Sequence, residues 1–106
     1  MSLVHLNEEN FDQLIEGKKV LVDFYAEWCG PCKTMKPVLE EVKSMVADNA
    51  RILKVDVDKN RELAMQLNIQ SVPTLVLFKN SNILWRQTGV ASSRDLVSLI
   101  HKYVNK

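Results

Sequence analysis

The feature that most constrains this fold is a junction between a buried-strand pattern and a helix pattern. Val20 to Ala26 is a seven-residue run of mostly apolar side chains with a single charge, typical of a central strand buried on both faces. From Cys32 to Asp48 the apolar residues recur at three- and four-residue spacing, which predicts an amphipathic helix. Arg51 to Val57 is a second strand pattern. Together these elements predict two parallel strands joined by a right-handed helical crossover.

The same periodicities predict further elements on both sides of this unit. These are a short strand over Leu3 to Leu6, a helix over Asn7 to Gly17, a short helix capped by Asn60, strands over Thr74 to Lys79 and Ile83 to Thr88, and a final helix capped by Ser92. The order β-α-β-α-β-α-β-β-α predicts an α/β fold with a five-stranded mixed sheet flanked by four helices, in a single domain over residues 1–106. The first strand of the parallel unit ends at the cysteines, where open α/β sheets place their functional sites.

Composition narrows the classes of function. The formal charge of +1, with 25% charged and 46% apolar residues, describes an ordinary globule and gives no reason to expect nucleic acid or a membrane as partner. Met1 to Leu6 lacks the basic start and apolar run of a signal peptide, and no stretch approaches the ~20 apolar residues of a membrane span. We therefore expect a cytoplasmic protein, and we expect it to be a monomer.

Both cysteines of the chain, Cys29 and Cys32, lie in this junction. In a reducing cytosol, a pair at this spacing is typical of a catalytic dithiol or of half a metal site. A zinc site needs two more ligands, and the only histidines, His5 and His101, lie near opposite ends of the sequence, which disfavours a metal. We therefore predict a redox-active dithiol with no cofactor of its own.

The order of the two cysteines gives them different predicted roles. Pro31 suits the first turn of a helix, which places Cys29 just before the helix N-terminus, where unpaired N–H groups favour a thiolate. We expect Cys29 to attack a partner's sulfur and the more shielded Cys32 to resolve the mixed disulfide. Gly30 allows a tight ring and the close approach of a partner backbone.

Asp23 is the one charge inside the central strand pattern. An outward-facing position would explain it, but a central strand has no wet face, which favours burial. Burial raises the pKa of a carboxyl toward neutrality, which would let Asp23 take the Cys32 proton during resolution. Lys54, similarly set in the next strand, is the predicted partner of Asp23 if the two strands align.

Two further residues flank the predicted site. Pro73 precedes a strand, where proline is awkward, so the peptide between Val72 and Pro73 is a candidate for the cis form. Trp28 is interpreted either as an aromatic that packs at a strand end or as a docking platform beside the thiolate.

The sequence resembles the thioredoxin family along its whole length. The residues that carry the resemblance are Val-Asp-Phe-Tyr-Ala-Glu-Trp-Cys-Gly-Pro-Cys-Lys at 22–33, Pro37, Val-Pro-Thr at 72–74, Leu-Phe-Lys-Asn at 77–80 and Gly89. The resemblance implies the five-stranded thioredoxin fold, a nucleophilic Cys29, a resolving Cys32 and, below them, a buried general base, Asp23, with Lys54 nearby. It also implies that Pro73 is cis and faces the cysteines. The apolar docking surface that it implies consists of Trp28, Gly30, Pro31, Val72, Gly89 and Val90.

Two positions depart from the family pattern. Tyr25 stands where many bacterial relatives have Trp, and Ser81 stands at a hairpin position that is often Gly, which leaves the turn type open.

The function implied by the resemblance is general reduction of protein disulfides, with the dithiol restored by a thioredoxin reductase that uses NADPH and FAD. Those cofactors would belong to the reductase, because this chain has no dinucleotide-binding fingerprint. Two alternatives stay open. One is a disulfide oxidase or isomerase on the same fold, which Pro31 and the lack of a signal peptide disfavour. The other is a redox-inert binding subunit of a larger assembly.

Overall fold

A mixed β-sheet organises the computed structural model, which describes residues 4–5, 11 and 19–103. The strands are β1 (Val4–His5), β2 (Lys19–Tyr25), β3 (Arg51–Asp56), β4 (Thr74–Lys79) and β5 (Asn82–Thr88). The helices are α1 (Gly30–Val46), α2 (Arg61–Gln66) and α3 (Ser93–Lys102), with a 3₁₀ turn at Ala47–Asn49.

Strand β2 is the centre of the sheet, whose order is β1-β3-β2-β4-β5. It pairs in parallel with β3 and antiparallel with β4, which confirms the predicted mixed sheet. All of its residues except Lys19 are buried. The prediction of a strand buried on both faces is therefore confirmed, and Asp23 has no solvent-facing side of the sheet available.

The first strand and the first helix of the prediction have different outcomes. Four strands of six or seven residues form the body of the sheet, whereas β1 has only two residues, paired with β3 at the edge. The fifth strand predicted over Leu3 to Leu6 is thus reduced to a two-residue pairing. The helix predicted over Asn7 to Gly17 lies outside the described residues except for Phe11, which is helical and buried.

The sheet separates two cores because successive side chains of a strand point to opposite faces. The buried members of the first core, which include residues of α1 and α3, are Leu21, Met35, Leu39, Val42, Val46, Ala50, Ile52, Leu75, Leu77, Ala91, Leu96, Val97 and Ile100. The buried members of the second core are Phe11, Val20, Val22, Phe24, Leu53, Val55, Leu63, Val76 and Phe78. Strand β2 contributes to both cores and so links the two halves of the molecule.

Helix α1 begins two residues earlier than predicted, with Cys29 at its N-cap position and Pro31 in its first turn. It continues through Pro37 and ends at Val46. The predicted end at Asp48 falls in the 3₁₀ turn because Ala47, at φ 50°, has left the helical conformation. The first turn of α1 is thus anchored beside the C-terminal end of β2.

Local capping predictions also have different outcomes. Ser92 caps α3, because its hydroxyl accepts the Asp95 N–H at 3.1 Å. Asn60 stands at the N-cap position of α2, but its predicted side-chain cap is wrong. Its amide instead donates to the Asp56 carbonyl oxygen at 2.9 Å, an acceptor left at the end of β3. Asn68 adopts the left-handed conformation after α2, with φ 55°, which asparagine tolerates better than most residues.

Candidate active site

The two cysteines form a disulfide at the start of α1, just beyond the C-terminal end of β2. Cys29 holds the N-cap position, and the backbone N–H of Cys32 donates to its sulfur at 3.1 Å. The first N–H groups of a helix have no helical acceptor, so they favour negative charge placed before the first turn. This contact supports Cys29 as the sulfur that carries the thiolate once the disulfide opens.

Exposure does not distinguish the two cysteines, so the expected greater shielding of Cys32 is wrong for this disulfide form. Cys29 is 3% exposed and Cys32 is 4% exposed, because Tyr25 and Val72 pack in the same cluster. Their contacts do differ. The Cys29 sulfur accepts the Cys32 N–H and also lies 3.7 Å from the carbonyl oxygen of Val72. Asymmetry between the sulfurs therefore comes from the helix start and the Val72 backbone.

The loop that faces Cys29 contains the predicted cis peptide between Val72 and Pro73. The Pro73 carbonyl oxygen accepts the Gly89 N–H at 2.8 Å, which ties this loop to the chain after β5. Gly89 has φ 101°, a conformation that glycine adopts at little cost. The structure therefore brings Val72 to the disulfide directly and Gly89 to it through Pro73.

The remaining residues of the predicted docking surface lie at the solvent boundary. Trp28 is 71% exposed and Val90 is 50% exposed, while Gly30 and Pro31 are exposed beside Cys29 in the chain. Among the described residues, a Cβ added at Gly30 would meet no heavy atom within 4 Å. The disulfide ring itself therefore leaves room for a larger residue at Gly30.

Trp28 is oriented by Asp58, a residue that no pattern in the sequence marks as functional. The indole N–H of Trp28 donates to a carboxylate oxygen of Asp58 at 2.8 Å. Asp58 is in turn placed by Asp56, whose carboxylate accepts the Asp58 N–H at 2.9 Å. The strand register offered a signal for this pair: Tyr25 lies opposite Asp56, so the segments that follow these two residues leave the sheet at the same edge.

Asp23 is a fully buried carboxyl in the middle of β2. Its exposure is 0%, and neither carboxylate oxygen accepts a hydrogen bond from the described residues. Burial raises the pKa of the Asp23 carboxyl from 3.8 to about 7, although the positive charge of Lys54 acts to lower it. Asp23 shares a sheet face with Tyr25, which packs against the cysteines. A carboxyl with this pKa can accept and return a proton near neutral pH.

Lys54 stands opposite Asp23 in the register of β2 and β3, so the predicted alignment is confirmed. Its ammonium lies over the ring of Tyr25, 4.2 Å from the ring centroid, where an aromatic face attracts a cation. Burial and the charges of Asp56, Glu27 and Asp23 raise the pKa of Tyr25 to about 12, which keeps its hydroxyl neutral. Tyr25, a departure from the family pattern, thus contacts the predicted partner of Asp23.

Within residues 4–5, 11 and 19–103 there is no group of three or more His, Cys, Asp or Glu side chains suited to a metal ion. In the same part of the chain, no helix is long and apolar enough to cross a membrane. The chemistry that the described residues do offer at this site is sulfur exchange at the disulfide and proton transfer at Asp23.

Comparisons with known proteins agree with this geometry. The family model described as Thioredoxin matches residues 2–102. A thioredoxin-like protein of Synechocystis sp. is 44% identical over 97 residues, which cover 90% of this chain and 92% of that protein. Thioredoxin of Staphylococcus saprophyticus is 39% identical, over 98% of this chain and 100% of its own length. A mutant thioredoxin from Halobacterium salinarum superposes with a TM-score of 0.90 at 33% identity, over 99% of this chain and 93% of that one.

Proposed function

This chain belongs to the thioredoxin family, has the thioredoxin fold and is a thiol-disulfide oxidoreductase, and on that basis we propose that it reduces disulfides in other proteins. The environment of Cys29 is the observation that supports this sulfur as the nucleophile of the reaction. Its sulfur accepts the Cys32 N–H at the helix start and faces the Val72 carbonyl oxygen beside an exposed Trp28. These contacts, rather than greater exposure, distinguish Cys29 from Cys32 as the attacking sulfur.

In the first step, the Cys29 thiolate attacks one sulfur of the substrate disulfide. The substrate S–S bond breaks, its other sulfur leaves as a thiolate, and a mixed disulfide joins Cys29 to the substrate. The backbone of Val72 and the exposed face of Trp28 would hold the substrate segment during this exchange. The open space above Gly30 supports the approach of a substrate backbone.

In the second step, Cys32 resolves the mixed disulfide. Asp23 takes the Cys32 proton, the Cys32 thiolate attacks the Cys29 sulfur, and the substrate's second thiolate leaves. The substrate has then gained two electrons, and the Cys29–Cys32 disulfide has formed. The raised pKa of Asp23 and the placement of Lys54 opposite it support this assignment of the base.

The family exchanges electrons with disulfide substrates and with reductase partners. For this chain we infer a thioredoxin reductase that uses NADPH and FAD, a monomeric state and a cytoplasmic location. A monomer keeps the surface around Trp28, Val72 and Val90 free for both the substrate and the reductase.

Insulin reduction tests the proposal with wild-type protein and two matched variants, Cys29→Ser and Cys32→Ser. Wild type should reduce insulin, Cys29→Ser should neither reduce it nor form a mixed disulfide, and Cys32→Ser should accumulate a mixed disulfide. A trapped mixed disulfide on Cys29→Ser instead would reverse the roles of the two sulfurs. No reduction by wild type would favour the redox-inert subunit.

The reduction potential tests the direction of electron flow. Equilibration with glutathione should give a potential more reducing than the cytosolic glutathione pool. A more oxidising value would assign the chain to the disulfide oxidases or isomerases.

A further inference from the structure

Arg86, on β5, makes the most specific contact that the redox mechanism leaves unused. Its guanidinium donates two hydrogen bonds, to the carbonyl oxygens of Leu67 and Asn68, each 2.5 Å long. These carbonyls lie just past the end of α2, where helical C=O groups have no helical partner. A planar guanidinium suits two adjacent acceptors, and its charge is favourable at a helix C-terminus. Arg86 thus caps the C-terminal end of helix α2 from strand β5.

The segment that Arg86 holds leads directly to the disulfide. Residues 68, 70 and 71 are exposed, and the chain then reaches Val72, whose carbonyl oxygen faces the Cys29 sulfur. Helix α2 has only six residues, so its own turns do little to fix this segment. An anchor at the end of α2 therefore affects where the loop before Pro73 begins.

The other end of the segment is tied to the same part of the chain as Arg86. The Gly89 N–H donates to the Pro73 carbonyl oxygen at 2.8 Å. The hydroxyls of Thr74 and Thr88 lie 3.5 Å apart, and the Thr74 hydroxyl donates to the Ser71 carbonyl oxygen at 2.7 Å. Residues 86–89 thus hold the segment 67–74 at both of its ends.

We propose that Arg86 is a positioning residue for protein substrates: by fixing the carbonyls of Leu67 and Asn68, it sets the Val72 backbone against Cys29. This role rests on the proposed use of Val72 in holding the substrate. The positioning by Arg86 should matter for protein disulfides, because the backbone of a protein substrate would contact Val72. It should not affect a small disulfide, which contacts only the sulfurs of the site. Lysine at this position would supply the charge without the two-pronged geometry.

The test compares Arg86→Met, Arg86→Lys and the exposed-arginine control Arg94→Met on two substrates, insulin and 5,5′-dithiobis(2-nitrobenzoate). For Arg86→Met, kcat/KM on insulin should fall about fivefold, the size expected from the loss of hydrogen bonds at an exposed site, mainly through a higher KM. The small disulfide should change less than about twofold, and Arg86→Lys should recover part of the loss. Arg94→Met should match wild type on both substrates.

Equal losses on both substrates, or none on insulin, would overturn the positioning role. A general loss of stability is tested by Val97→Ala, a change in the first core that should lower activity on both substrates to the same extent.

Amide hydrogen exchange gives a readout that does not depend on activity. The N–H groups of Ile69 and Gly89, bonded to Ala64 and Pro73, should exchange faster in Arg86→Met than in Arg94→Met, and unchanged exchange would also overturn the role. If wild type fails on insulin while these amides respond, the proposed function fails and the anchoring by Arg86 stands.

Discussion

Burial of Asp23 opposes folding whenever its carboxyl is ionised. The side chain is 0% exposed, its oxygens accept no hydrogen bond from the described residues, and its pKa is raised from 3.8 to about 7. A pKa difference of one corresponds to about 1.4 kcal/mol, so ionised Asp23 would lower the free energy of unfolding by up to roughly 4 kcal/mol. A residue with such a cost, on the sheet face of Tyr25, which packs against the disulfide, is a candidate for proton transfer.

Replacing Asp23 with Asn should stabilise the protein only where the wild-type carboxyl would ionise on unfolding. Below about pH 4 the carboxyl is protonated in both states, so no pH-dependent difference is expected. Between about pH 4 and 7 the unfolded carboxyl ionises while the folded one does not, so wild type loses stability as the pH rises. Above about pH 7 the variant should be more stable by about 2–4 kcal/mol.

Urea unfolding across this pH range measures the effect. Asp48→Asn, a change at an exposed carboxylate, controls for the loss of a negative charge. A stability difference between wild type and Asp23→Asn that stays constant from pH 4 to pH 8 would contradict the buried, protonated state of Asp23.

Lys54→Met should raise the pKa of Asp23 further, because the Lys54 charge is the one that acts to lower it. The base must be ionised to take the Cys32 proton, so the rising limb of the pH profile for mixed-disulfide resolution should move to higher pH. At pH 7 the resolution rate should fall about two- to fivefold, with formation of the mixed disulfide little changed. Stopped-flow kinetics against Lys36→Met, an exposed control, would show this; identical profiles would remove Lys54 from the site.

The sequence was sufficient to predict Asp23 and Lys54 because each interrupts an apolar strand pattern, and parallel strands bring such positions together. Asp58 and Arg86 were not predictable in the same way. For Asp58 the signal is indirect: the pairing of Tyr25 with Asp56 brings the following segments to one edge of the sheet without specifying the contact with Trp28. Arg86 contacts the segment after α2 across a long sequence separation, and no periodicity in the chain specifies that contact.

The β4–β5 hairpin turns with two loop residues, where the sequence suggested three. Lys79 pairs with Asn82, and between them Asn80 and Ser81 have φ values of 51° and 69°. Two consecutive residues with positive φ define a type I′ turn, whose backbone twist matches that of the two strands of a hairpin. Asn tolerates this conformation, but serine adopts it at a cost.

Ser81→Gly should therefore raise the free energy of unfolding by about 0.5–1 kcal/mol, because glycine adopts a positive φ without a Cβ clash. Ser44→Gly, at an exposed position within α1, is the matched control and should lower it by about 0.5–1 kcal/mol. Urea midpoints at constant slope would measure both. Destabilisation by Ser81→Gly would show that the turn does not require the left-handed conformation.

Elements with a strong period were the most predictable part of the fold. Strand β2 follows from a run of apolar side chains, and α1 follows from apolar residues at three- and four-residue spacing. The Asn60 cap is not predictable in this way, because the Asn60 side chain makes no capping hydrogen bond and its amide N–H donates to the Asp56 carbonyl oxygen. The spacing of β4 and β5 predicted their hairpin. The placement of β4 beside β2 had no local signal, since it depends on how the whole sheet closes over its two cores.

The sheet divides the molecule into two cores, which share the backbone of strands such as β2 but none of the buried side chains named above. Val42 and Ile52 belong to the first core, and Val55 belongs to the second. Each is buried, so truncation to alanine removes methyl groups from a packed interior and should cost about 2 kcal/mol or more. The location of each cavity then decides whether the costs of two truncations add.

Val42→Ala and Val55→Ala should be additive within about 0.5 kcal/mol, because the sheet stands between the two cavities. Val42→Ala and Ile52→Ala should deviate from additivity by more than this, because the two truncations lie in one core whose neighbours relax around both. Urea unfolding of the single and double variants at pH 7 completes both cycles. Equal coupling in the two pairs would mean that the cores on opposite faces of β2 respond as one, and that the sheet does not isolate the packing of the first core from the packing of the second.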